Sequence, residues 1–139
     1  MCPMKIRTSL IALLAVVLVA FSCEEKEVFS READYEELEK LYAEIKTLSE
    51  SRSCSDASLW KFTALGAKAC GGPTQYIAYS VEIDTNYFLD LTHTYTTKMK
   101  AFNTRYNIIS DCAMVMPPDA VTCEDGKPKF IYNNIIKAF

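Results

Sequence analysis

Residues 85–109 have the sequence TNYFLDLTHTYTTKMKAFNTRYNII, the longest amphipathic stretch of the chain. Its large apolar residues recur every three or four positions, as they do along the buried face of an α-helix. Asp84 or Thr85 can cap the helix, which we expect to end at about Ile109. The apolar stripe consists of Phe88, Leu91, Tyr95, Met99, Phe102, Tyr106 and Ile109. Thr96 lies off the stripe and is expected at the surface, whereas the stripe itself needs a partner.

A second amphipathic helix is predicted upstream, from Phe29 to Ser51, with Ser30 as its N-cap. Acidic residues follow in its first turn, where the helix dipole stabilises negative charge. Its apolar positions, again three or four apart, are Tyr35, Leu38, Leu41, Tyr42, Ile45 and Leu48. The simplest partner for the long helix is therefore this one.

The remaining segments favour short strands and turns. Alternating residues predict a strand at Trp60–Leu65 that ends at Gly66. Tyr76–Ile83 has a strand-like composition, and a helix that opens there is the alternative. The Asp125-Gly126 pair indicates a hairpin turn, and Pro128 keeps the strand after it short or at an edge. The other predicted strands are Ala113–Met116, Val121–Cys123 and Lys129–Tyr132. We therefore predict an α+β fold, with two amphipathic helices packed on a small antiparallel sheet.

The N-terminus is typical of an exported bacterial protein. Lys5 and Arg7 precede an uncharged apolar run, Leu10–Phe21, which is shorter than the roughly 20 residues of a membrane-spanning helix and matches a secretory signal. The run ends at Ala20-Phe21-Ser22-Cys23, which resembles a lipobox whose cysteine is lipidated. An ordinary signal peptide and an uncleaved anchor are the alternatives, and translation can start at Met1 or at Met4.

These features divide the chain into a signal peptide (1–22), an acidic lipidated tether (23–29) and one domain (30–139). Segment 23–52 has ten acidic and five basic residues, whereas segment 54–139 has eight of each. A neutral domain without a Lys/Arg cluster argues against nucleic acid as a partner. The acidic tract after Cys23 resembles the surface-export signal of bacteroidete-type lipoproteins. We therefore expect a protein held in the cell envelope by its N-terminal lipid, at the outer membrane, on its periplasmic face or at the cell surface.

Four cysteines remain when Cys2 leaves with the signal peptide and Cys23 is assigned to lipid. They are Cys54, Cys70, Cys112 and Cys123. An even number in an exported chain predicts two disulfides. Loop length favours Cys54–Cys70 with Cys112–Cys123, and the other pairings stay open. The chain has no CxxC pair, and its single histidine, His93, lies within the long predicted helix, so no metal or cofactor is expected.

Two motifs stand out between Cys54 and Tyr132. Residues 66–76 match GxKxCGGPxxY, and residues 110–123 match an SxC…C tail. In these motifs the chain resembles a group of small uncharacterised bacterial secreted proteins and lipoproteins. Some relatives have one further cysteine near the position of Trp60 and another near that of Pro128. If those two pair, the resemblance places the Trp60 strand beside the hairpin around Asp125-Gly126, which we call the tail hairpin, where Cys54 can meet Cys123. The resemblance implies no activity.

Catalytic chemistry is not expected from the remaining polar residues. His93 is the only histidine that could serve a nucleophile as base, and its helix position indicates a solvated residue. The carboxylate pairs Glu82/Asp84 and Glu124/Asp125 flank predicted caps and turns, and no phosphate-binding motif follows Gly71-Gly72. The sequence therefore argues against an enzyme.

The expected function is a non-catalytic binding module, facing the surface or the periplasm, for an unknown envelope protein or ligand. Its candidate contact residues are Lys68, Gly71, Gly72, Pro73 and Tyr76. The two glycines allow a tight irregular loop and the proline fixes its exit. The alternatives are an inhibitor of an exported hydrolase, which would use loop 68–73, and a small enzyme.

Overall fold

The computed structural model describes residues 30–132. The predicted signal peptide, Cys23 and the tether lie outside the described residues, as does segment 133–139. The elements are α1 (Arg31–Ser49), a 3₁₀ turn (Ala57–Leu59), β1 (Trp60–Leu65), β2 (Gln75–Ser80), α2 (Thr85–Arg105), β3 (Ala120–Glu124) and β4 (Lys127–Ile131). Within residues 30–132, no helix has the length and hydropathy needed to cross a membrane.

Both predicted helix starts are confirmed by their caps. The Ser30 hydroxyl accepts a hydrogen bond from the Ala33 N–H at 3.1 Å, and the Asp84 carboxylate accepts one from the Tyr87 N–H at 3.0 Å. Each cap satisfies a backbone donor that has no partner inside the helix. The helices therefore begin where their sequences provide a capping side chain.

The end of α2 differs from the prediction. The helix stops at Arg105, and Asn107 takes a positive φ of 49° that turns the chain away. Asparagine tolerates this left-handed conformation better than most residues. Ile109 is consequently 94% exposed, so its assignment to the buried stripe is wrong.

The two helices pack side by side in opposite directions, as the ring contacts show. Tyr35 lies 6.3 Å from Phe102, near the start of α1 and the end of α2, and Tyr42 lies 5.8 Å from Tyr95. The buried side chains of this core are Leu38, Ile45, Leu65, Tyr79, Phe88 and Tyr95. The predicted pairing of the two amphipathic helices is thus confirmed.

Strands β1 and β2 form an antiparallel pair with an apolar core on each face. Their register places Trp60 opposite Ser80 and Leu65 opposite Gln75. Because side chains alternate along a strand, Leu65 packs in the helix core, whereas Trp60 packs in a second cluster with the tail hairpin. Strand β1 has its predicted bounds; β2 ends at Ser80, three residues before the predicted Ile83.

Strands β3 and β4 form the second antiparallel pair. Asp125 and Gly126 both have positive φ, 52° and 74°, as a type I′ hairpin turn requires. The predicted hairpin is confirmed, while Ala113–Met116 forms no strand. The α+β class is also confirmed, with the antiparallel strands divided between two two-stranded sheets.

Candidate functional site

The site centres on Lys68–Pro73, which we call the glycine loop. The Lys68 N–H donates to the Gly72 carbonyl at 2.9 Å, and the Gly71 N–H donates to the Lys68 carbonyl at 3.1 Å. Gly71 and Gly72 have φ of 101° and 80°, a region that side chains other than glycine disfavour. The loop is therefore a tight, internally hydrogen-bonded turn.

The chain leading into the glycine loop is attached to α2 by three hydrogen bonds. The Gly66 N–H donates to Thr96 Oγ1 at 3.1 Å. The Ala67 N–H donates to Met99 Sδ at 3.2 Å, and Asn103 Nδ2 donates to the Ala67 carbonyl at 2.8 Å. Three side chains of α2 thus hold the segment that enters the glycine loop.

The chain that follows α2 supports the glycine loop from its other side; we call Ser110–Ala113 the return segment. Lys68 Nζ donates to Asp111 Oδ1 and to the Ala113 carbonyl, each at 2.7 Å. The Ala69 N–H donates to Ser110 Oγ at 3.0 Å. The Lys68 side chain is only 13% exposed, so this predicted contact residue serves mainly to hold the loop in place.

Two thiols meet where the glycine loop touches the return segment. Cys70 and Cys112 are both exposed free thiols, and their side chains lie within reach of each other. The Cys70 sulfur also lies 3.3 Å from the Asp111 carbonyl. The hydrogen bond from Cys112, followed by one from Ser110, lowers the pKa of Cys70. The same contact with Cys70, together with desolvation, raises the pKa of Cys112.

The disulfide pairing preferred from loop length is wrong. Cys54 is bonded to Cys123, with their Cα atoms 5.3 Å apart. The tail hairpin packs against Trp60 and Ala78, and the Cys54 N–H donates to the Gly126 carbonyl at 2.8 Å. Burial of the hairpin's apolar face therefore brings together two cysteines that are distant in sequence. Residues 30–132 thus contain one disulfide and one adjacent pair of thiols.

The predicted contact residues divide between two grooves. Lys68, Gly71, Gly72 and Pro73 line a groove of about 580 Å³ beside α2. Tyr76 lines a different groove, of about 640 Å³, between the end of α1 and the tail hairpin. Alternation along β2 explains this separation, because Tyr76 faces the tail hairpin with its ring 6.1 Å from that of Phe62.

The α2 side of the glycine-loop groove was not recognised from the sequence. It consists of Thr96, Lys100, Asn103, Thr104 and Asn107. The first four follow one another at spacings of four, three and one, so they form a second stripe of α2 beside the apolar one, and Asn107 lies just beyond the helix end. Thr96 is half-buried and bonded to Gly66 at the entrance of the glycine loop, so its expected place at the surface is wrong.

The polar groups considered for catalysis lie at the surface. His93 is exposed on α2, and Glu82, Asp84, Glu124 and Asp125 are exposed as well. Glu124 forms an ion pair with Lys129. Within residues 30–132, no group of three or more His, Cys, Asp or Glu side chains could hold a metal ion.

The chain matches no protein-family model, no curated protein and no solved structure. The resemblance to small secreted proteins and lipoproteins, which rests on residues 66–76 and 110–123, stays a prediction.

Proposed function

We propose that this protein is a lipid-anchored, non-catalytic binding module of the cell envelope, which contacts its partner through the glycine loop. The observation that carries this proposal is the combination of exposure and rigidity in that loop. A Cβ atom placed on Gly71 or Gly72 would meet no atom within 4 Å. Both glycines therefore present open backbone to solvent, although the residues around them are tightly bonded.

Rigidity favours binding because an ordered loop loses little conformational freedom when a partner docks. Exposed loops on a fixed scaffold are the usual carriers of recognition. Here the scaffold is α2 on one side, through Asn103, and the return segment on the other, through Ser110 and Asp111. The glycine loop is thus held in one conformation before any partner arrives.

The adjacent groove supplies a surface that fits a polar partner segment. Lys100 and Thr104 are exposed along its α2 wall, and the glycine loop forms the opposite wall. Carbonyl and N–H groups of the open turn can bond to a partner's main chain. This arrangement favours recognition of a partner segment by hydrogen bonds.

The proposed anchor fits the position at which the described chain begins. The start of α1 lies beside the end of α2, because Tyr106 donates a hydrogen bond to Asp34 at 2.8 Å. Six residues, 24–29, would separate Cys23 from Ser30 and can extend for about 20 Å. The domain would then be held close to the bilayer by the end that carries the return segment.

The anchor is tested by changing its cysteine. Cys23→Ala should abolish metabolic palmitate labelling and move the protein from the membrane fraction to the soluble one. Ser22 and the signal peptide are unchanged in this variant, so export can still proceed. A variant that is still labelled and still in the membrane fraction would refute the lipid anchor.

Binding through the glycine loop is tested with a pair of matched threonine variants. Thr104→Arg places a large cation in the groove, whereas Thr47→Arg makes the same change on exposed α1. The Thr104 hydroxyl donates to the Lys100 carbonyl and the Thr47 hydroxyl to the Ala43 carbonyl, each within its own helix. Immobilised residues 24–139 should capture an envelope component that Thr47→Arg retains and Thr104→Arg loses by about tenfold or more, equivalent to about 1.4 kcal/mol. Equal capture by both variants, or none by the wild type, contradicts the proposal.

The inhibitor alternative stays a prediction. Its test uses the same proteins, namely the wild type, Thr47→Arg and Thr104→Arg. Titration against exported hydrolases should show inhibition that Thr104→Arg weakens if the glycine loop enters their active sites. Capture without inhibition would favour the binding module.

A further inference from the structure

We propose that Cys70 and Cys112 form a thiol–disulfide exchange site, which reacts with low-molecular-weight disulfides of the glutathione class through Cys70. This inference goes beyond the proposed binding function, because it assigns covalent chemistry to the pair and does not depend on a binding partner. It rests on the position of the two thiols at the surface, in contact with each other and with polar neighbours.

The two cysteine pairs of the domain have opposite surroundings. Cys54 is 3% exposed and packs with Trp60 and Ala78 under the tail hairpin. Cys70 and Cys112 are exposed at the junction of the glycine loop and the return segment. Exchange requires direct attack of one sulfur on another, so access decides which pair can react. The surface pair is open to an incoming disulfide, whereas in the other pair Cys54 is buried and Cys123 is partly buried.

The polar neighbours distinguish the roles of the two thiols. The Ser110 hydroxyl lies 3.6 Å from Cys70 Sγ. The contact between the two thiols lowers the pKa of Cys70 and raises that of Cys112; Lys68 lowers both pKa values, and Asp111 raises that of Cys112. The Ser110 contact with Cys70 Sγ, together with these two opposite shifts, assigns Cys70 as the attacking group and Cys112 as the resolving one.

The exchange proceeds in two balanced steps. The Cys70 thiolate attacks one sulfur of a disulfide RSSR, so that a Cys70–S–S–R bond forms and RS⁻ leaves. The Cys112 thiol then loses its proton and attacks Cys70 Sγ, which forms the Cys70–Cys112 bond and releases the second RS⁻. Two protein thiols are oxidised, one external disulfide is reduced, and the two RS⁻ groups take up two protons.

The reaction has a structural consequence for the glycine loop. Lys68 and Ala69 already attach the loop to the return segment by hydrogen bonds. A Cys70–Cys112 bond would add a covalent link at the same junction, and reduction would remove it. In an oxidising compartment the linked form predominates at rest.

Trapping by mass spectrometry tests the assignment on folded residues 24–139. After mild reduction, excess glutathione disulfide should convert the wild type to an intramolecular disulfide without a lasting adduct. Cys112→Ser should accumulate one lasting glutathione adduct on Cys70, because the resolving thiol is absent. A Cys112→Ser variant that forms no adduct on Cys70 would overturn the role of Cys70.

Two further measurements use the wild type alone, so their outcome does not depend on whether the variants fold. Sub-stoichiometric alkylation followed by peptide mapping should label Cys70 before Cys112, and the opposite order contradicts the proposal. Buffers of reduced and oxidised glutathione should then titrate the Cys70–Cys112 bond reversibly while Cys54–Cys123 stays intact. If excess reduced glutathione never opens the Cys70–Cys112 bond in the folded protein, that bond is structural only and the proposed exchange site is wrong.

Discussion

The hydroxyl of Thr96 connects α2 to the entrance of the glycine loop. It accepts from the buried Gly66 N–H at 3.1 Å and donates to the Thr92 carbonyl at 2.8 Å. Thr96→Ala should destabilise the fold by about 1–3 kcal/mol, because a buried donor loses its partner. Thr97→Ala, one position along at an exposed site, should change stability by less than about 0.5 kcal/mol. Urea unfolding measures both, and equal effects would mean that Thr96 does not support the loop.

Asp34 gives the fold an acid-sensitive contact at the same residue scale. A hydrogen bond from Tyr106, and then one from Arg105, lowers the pKa of this carboxyl below its ordinary value. Because the folded pKa is depressed, the stabilisation is present above the unfolded pKa of about 3.9 and is lost as pH falls through the folded value. Asp34→Asn should therefore lower Tm at pH 7, and the gap to the wild type should close below pH 4.

The control for this prediction is Asp90→Asn, which removes a carboxyl at an exposed position of α2. Its Tm should follow the wild type at both pH values. A gap between Asp34→Asn and the wild type that persists unchanged at pH 3 would show that charge on Asp34 is not what stabilises the contact.

At the scale of an element, two residues of the apolar stripe predicted for α2 have opposite environments. Phe88 is 0% exposed and Ile109, beyond the helix end, is 94% exposed. Phe88→Ala should cost about 3–5 kcal/mol, because it removes contacts from a closed core. Ile109→Ala should stay within about 0.5 kcal/mol. Chemical denaturation of the two variants measures the stability that each side chain contributes. A large loss of stability in Ile109→Ala would mean that Ile109 packs in the core.

The turn between β1 and β2 contains glycines with different constraints. A Cβ on Gly66 would lie 2.1 Å from Thr74 Oγ1 and 3.1 Å from Met99 Sδ, and φ is +76°. Gly71 has a positive φ but open space around it. Gly66→Ala should therefore cost more than Gly71→Ala, for which only backbone strain of about 1–2 kcal/mol is expected. Thermal unfolding compares them, and the reverse order would contradict the close packing at Gly66.

At the scale of the whole molecule, the Cys54–Cys123 bond ties the chain before β1 to the tail hairpin. The two cysteines are 69 residues apart, and closing so long a loop constrains the unfolded chain by about 4 kcal/mol in the entropy model. Cys54→Ala with Cys123→Ala should lose stability of this order in urea unfolding. Cys70→Ser with Cys112→Ser is the matched control and should lose clearly less when both variants are compared with a wild type whose Cys70 and Cys112 have been reduced. Equal losses would show that the two pairs contribute alike.

The sequence alone determined the local elements of this protein. Capping side chains at Ser30 and Asp84 set the helix starts, because a short polar side chain satisfies free N–H groups there. The Asp125-Gly126 pair specified its turn, because both positions need positive φ. Periodic apolar residues identified the helix core, because the period of an element fixes which of its side chains share a face.

Tertiary structure decided which distant residues meet. Cys54 pairs with Cys123 because the tail hairpin buries its apolar face on the Trp60 side of β1–β2, and loop length carries no information about that burial. The glycine loop was recognisable in sequence, but its support by Asn103 and Ser110 was not. Those bonds join residues more than 35 positions apart, and only the packing of α2 against the sheet brings them together.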